Sequence, residues 1–146
     1  MGRKVQRHRV DVSMRDHAAG QASTLLRRLA FQANRTARLS DAGSVHDLRV
    51  SIRRLAQCLR IFGQFFPRER GKKSQHRLCT VMDLASAVRD RDIALDLLAA
   101  ARIPSDSALV QGLSEERAGA ERSLVGTLER WSRRGFQKKW RSRLEL

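Results

Sequence analysis

Five side chains able to hold phosphate oxygens recur between positions 46 and 60: His46, Arg49, Arg53, Arg54 and Arg60. Apolar residues alternate with them at Val45, Leu48, Ile52, Leu55, Leu59, Phe62 and Phe66, stepping by three and four. That spacing predicts a helix from Val45 to about Phe66, with Ser44 as its cap. At ~100° per residue Arg53 lies ~20° from His46, Arg60 ~40°, Arg49 ~60° and Arg54 ~80°, while the apolar stripe centres ~160° away. The cationic row therefore runs about 21 Å along the face opposite the core. Asp47 is the only acid between residues 42 and 68. Like charges one and two turns apart each cost a few tenths of a kcal/mol when no acid intervenes, whereas a merely solvated face mixes signs. An evenly spaced row of guanidinium forks suits a ligand whose own charges recur, that is, a chain of phosphates.

The rest of the chain must position that row. It has 146 residues with 30 Lys+Arg against 15 Asp+Glu, net +15, and 41% hydrophobic residues. This is one domain's length with enough apolar content for a core, and its charge calls for a polyanionic partner. Five of the basic residues are Lys and 25 are Arg; residues 1–80 hold a net +13 and residues 81–146 only +2. Residues 1–12 read as a basic flexible arm before a single domain over 13–146. Helices are predicted from about Ser13 to Leu39, from Val45 to Phe66, from about Ser74 to Arg102, and from Ser105 or Ser107 onward, with Gly135 as a candidate interruption. No alternating strand pattern occurs, so the predicted class is all-α, a four-helix antiparallel bundle. The Lys138–Arg143 segment reads as a solvated tail, and Trp131, Phe136 and Trp140 as packing residues.

Several function classes are disfavoured. His8, His17, His46 and His76 lack metal-ligand spacing, and no Cys/His cluster exists, so no metal and no cofactor is expected. Asp83, Asp90, Asp92 and Asp96 have Arg89 and Arg91 among them, which suits ion pairing better than Mg²⁺ capture, so no catalysis is expected. The N-terminus lacks the apolar stretch of a secretory signal, no membrane span is visible, and Cys58 and Cys79 read as reduced thiols. A soluble cytoplasmic protein is the expectation.

The segments VHDLRVSIRRLAQCLRIF (45–62) and AVRDRDIALDLL (87–98) resemble the signatures of the CHAD family, the conserved histidine α-helical domain. The resemblance implies a non-catalytic, all-α domain that binds inorganic polyphosphate and, in bacteria, associates with polyphosphate granules. Carried over by position, the signature histidine is His46, the signature arginines are Arg49, Arg53 and Arg54, and Arg89–Asp90 is the Arg-Asp pair; the aspartates beside Arg89 read as structural ion-pairing residues, with orientation of Arg89 by Asp90 or Asp92 as the alternative. Arg60 follows from the helical geometry. Arg28, His76, Arg77 and Arg117, on neighbouring helices, are possible additional contacts. Ala56 stands where the family often has Arg, and Ala85–Ser86 where it tends to have Leu-Gly. The family fold resembles two helical bundles in tandem, of which this chain covers the first. A homodimer supplying the missing half is therefore expected, with nonspecific nucleic-acid binding as the alternative function.

Overall fold

The computed structural model describes backbone over residues 2–146 and side chains from residue 13 onward. The basic arm expected over residues 1–12 lies outside the residues whose side chains are described. Five helices follow one another: α1 (Gly2–Leu39), α2 (Ala42–Ile61), α3 (Arg68–Ala100), α4 (Ala108–Arg133) and α5 (Phe136–Leu144), with one 3₁₀ turn at Gly63–Phe65. No strand occurs among the described residues. The all-α class is thus observed, with one helix more than predicted. Gly135 makes the difference: at φ 58° it occupies the left-handed region, ends α4 and restarts the chain as α5.

The core is one cluster to which every helix contributes. α1 inserts Ala18, Ala22, Leu26, Leu29 and Ala33, and α2 inserts Val45, Leu48, Ile52, Leu55 and Leu59. α3 adds Leu78, Val81, Ala85 and Val88, and α4 adds Leu124 and Leu128. α1 packs on α2 and α4, and α3 packs on the same two helices. The α2 stripe sets that helix's rotation. Turning it by ~100° to bury arginines would return most of these side chains to water, at a cost on the order of 10 kcal/mol.

Helix boundaries differ from the sequence expectation for local reasons. Asp41, not Ser44, caps α2: its Oδ1 accepts the Ser44 backbone N–H at 2.7 Å. That bond, chiefly, holds the Asp41 carboxyl below the usual carboxylate range, while the Ser44 hydroxyl donates to the Asp41 backbone carbonyl at 3.0 Å. Ser44 is instead buried in the first turn, where its carbonyl accepts the Thr36 hydroxyl at 3.1 Å and ties α2 to α1. α2 also ends earlier than Phe66. Pro67 pushes the residue before it out of helical space, and Phe66 accordingly adopts φ −111°, ψ 153°. α3 starts at Arg68 and not at Ser74, because Pro67 suits a helix start and Gly71 in the first turn costs only about 1 kcal/mol.

The C-terminal segment is not a tail. Phe136, Trp140 and Leu144 recur every fourth residue and are 7%, 1% and 1% exposed, so α5 docks against α1, α3 and α4. Trp131 completes the cluster, its ring centroid 4.9 Å from Phe136 and 5.4 Å from Trp140.

Candidate polyanion-binding face

With its apolar stripe buried, α2 turns His46, Arg53, Arg54 and Arg60 to solvent, while Arg49 is half-buried. The row spreads over the whole outer face between the two flanking helices. Arg49 leans toward α3, where its Nε donates to the Ser86 hydroxyl at 3.3 Å. Arg89 lies one turn beyond Ser86 on the same flank of α3. Arg60 donates to Gln57 Oε1 at 2.9 Å, an intrahelical bond that orients it along the face.

On the other flank, His46 and Arg54 line a groove of about 790 Å³ between α1 and α2. α1 contributes Arg27, Arg28, Phe31 and Gln32 to its wall. Arg28 is therefore brought to the row. Arg27 and the 62%-exposed Phe31 are residues the sequence reading missed. The signal available was the Arg27–Arg28 doublet on the polar side of α1.

Asp47, the one acid of α2, also lines this groove, but Arg35 of α1 holds it at 2.8 Å. Among the described residues no carboxylate lies within salt-bridge distance of Arg27, Arg28, Arg49, Arg53, Arg54, Arg60 or Arg89. Seven guanidinium groups on or flanking one helix face thus keep donors free for an external acceptor.

Three of the remaining candidates are placed elsewhere. Arg117 is committed to the fold: its Nε donates to Asp92 Oδ1 at 2.6 Å, Nη2 to the Ser40 carbonyl at 2.8 Å, and Nη1 to Glu121. The Asp92 bond, chiefly, raises the Arg117 pKa above its ordinary value. Arg117 therefore clamps α3, α4 and the α1–α2 turn, and is withdrawn as a ligand contact. Asp92 in turn is spent on Arg117, so it does not orient Arg89; Asp90 makes no bond to Arg89 either. Arg77 faces α5, and His76 is exposed on the outer side of α3, so neither joins the α2 row.

Among the described residues no group of three His, Cys, Asp or Glu side chains converges as a metal site, and no helix is long and apolar enough to cross a membrane. Fold and surface together define an all-helical domain with an arginine-lined outer face. The chain belongs to the CHAD domain family, whose model matches residues 20–146. No curated protein and no solved structure matches it.

Proposed function

We propose that this chain is a non-catalytic binding module for inorganic polyphosphate, held along the outer face of α2 and the α1–α2 groove. The observation that carries the reading is the run of guanidinium groups without carboxylate partners, from Arg27 and Arg28 through Arg54, Arg53 and Arg49 to Arg89. Membership of a family known for polyphosphate binding supports the same ligand. His46 sits among these cations as an additional donor, and Arg60 extends the face toward the α2–α3 turn. Association with polyphosphate granules in the cytoplasm belongs to this proposal.

A nucleic-acid strand is the second reading, and the exposed Phe31 in the groove is the feature that favours it, since a free ring can stack a base. Counterion release would draw any domain of net +15 toward DNA or RNA as well. Nucleic acid spaces its phosphates more widely than polyphosphate does, so polyphosphate brings more charge to the same length of the α2 row. Competition at physiological salt and equal phosphate concentration separates the two. Long-chain polyphosphate should displace duplex DNA and single-stranded RNA from the protein; displacement in the opposite direction would remove the first reading.

The proposed assembly is a homodimer joined through the α3–α4 hairpin. Ile93, Leu97, Ile103 and Leu109 support it: they are exposed in the part of the α3–α4 hairpin beyond the Asp92–Arg117 clamp. Light scattering at micromolar concentration should give twice the chain mass, and a monomeric mass would refute the dimer.

A further inference from the structure

A second basic hollow lies on the far flank of α3. Arg77, Trp131, Arg134, Phe136, Lys139, Trp140 and Arg143 line a cavity of about 230 Å³, and Arg77 and Arg143 also line an adjoining one of about 370 Å³ with Arg70 and Lys73. Six exposed cations thus face one continuous depression between α3 and α5, and no carboxylate lines either part. None of the six makes a salt bridge among the described residues. Lys139 and Arg143 stand one turn apart on α5, and Arg70, Lys73 and Arg77 span two turns of α3, so each set repels itself. Lys138 and Lys139 also occupy the first turn of α5, where the helix dipole favours anions, and that turn has no acid.

This hollow is separate from the α2 face. Arg77 stands about 180° around α3 from Ser86, the residue that meets Arg49. The two lining sets have no residue in common.

We infer that the α3–α5 hollow is a second site for a run of phosphates, which lets one chain hold two segments of polyphosphate on opposite flanks and so bridge separate strands. The ligand class rests on the reading proposed above; the site itself rests on the unpaired cations. Polyphosphate is favoured over nucleic acid here because Trp140 and Phe136 are turned into the core, at 1% and 7% exposure, which leaves the half-buried Trp131 as the one lining ring near the surface among the described residues. A base would find little to stack on, whereas phosphate oxygens need only the forks and ammonium groups.

The test compares three full-length proteins: wild type, Arg77→Ala/Arg143→Ala, and Arg49→Ala/Arg53→Ala/Arg54→Ala. Circular dichroism checks that each is folded, which exposed Arg77 and Arg143 should allow. Short-chain polyphosphate titrated calorimetrically should bind wild type at two sites per chain and each variant at one. Long-chain polyphosphate should drive wild type into large light-scattering assemblies, and scattering should fall several-fold for both variants. One site per wild-type chain that the α2 variant loses, or unchanged stoichiometry in the Arg77/Arg143 variant, would overturn the second site and leave the α2 reading intact. Full binding by the α2 variant with none by the Arg77/Arg143 variant would instead overturn the α2 reading. Protection of the hollow by RNA but not by polyphosphate would overturn the ligand assigned to it.

Discussion

Replacing Arg49, Arg53 and Arg54 together by alanine should weaken polyphosphate binding at the α2 face about 100-fold at physiological salt. Each guanidinium can make a charge-assisted contact to phosphate, and at solvent-exposed positions about 1 kcal/mol apiece is a conservative value. Three contacts then amount to about 3 kcal/mol, roughly two decades in the dissociation constant. The salt dependence provides an independent check. A flexible polyanion releases about 0.7 counterions per neutralised charge, so the slope of log affinity against log salt should flatten by about 2. Among the described residues the exposed Arg53 and Arg54 make no salt bridge, and Arg49 forfeits its bond to Ser86, so helicity should be retained. The measurement is a salt series with short-chain polyphosphate on wild type and variant, with the α3–α5 hollow removed in both so that one site is read. Equal slopes, or an affinity within a factor of two, would show that the α2 row does not hold the ligand.

The row is legible in the sequence through one property of α2. Its apolar and cationic residues both keep helical period, so burying one stripe fixes where the other points, whatever the helix packs against. Sequence periodicity does not say which flank of one helix meets which flank of the next. For that reason Arg27 and Phe31 of α1 were missed, although they line the same groove as His46 and Arg54. Charge and a place on a neighbouring helix do not tell Arg77, on the opposite flank of α3, from a member of the row. The family departure at Ser86 reads in sequence as the loss of a close-packing glycine. In the fold its hydroxyl accepts the Arg49 guanidinium, so the extra side chain orients a member of the row. The Lys138–Arg143 segment misled for a different reason. Its charges obscured the fourfold recurrence of Phe136, Trp140 and Leu144, which was the signal for a docked helix.

Arg117 is the residue whose loss should most damage the fold while sparing the ligand. Its partner Glu121, one turn along α4, is visible in the sequence, but Asp92 and Ser40 are 25 and 77 residues distant and meet it only after folding. The Arg117 and Asp92 side chains are 20% and 11% exposed, so both charges have lost much of their hydration. Truncating Arg117 to alanine leaves the Asp92 carboxylate without its countercharge and frees the Ser40 carbonyl, at a cost of about 3 kcal/mol, the low end for a buried pair because some water still reaches it. For a chain of this length that is a fall of about 10 °C in Tm. Removing both charges with matched apolar groups, Arg117→Met with Asp92→Leu, should recover most of the loss, since the unpaired charge and not the missing attraction dominates the cost. Polyphosphate affinity of the folded Arg117→Ala protein should stay within about twofold of wild type, because the clamp faces Asp92, Glu121 and Ser40 and not the α2 row. Thermal melts and binding measured well below Tm decide the matter together. An unshifted Tm with lost binding would move Arg117 from the scaffold to the ligand site, and a double variant no better than the single would show that the clamp's attraction, not its stranded charge, holds the α1–α2 turn in place.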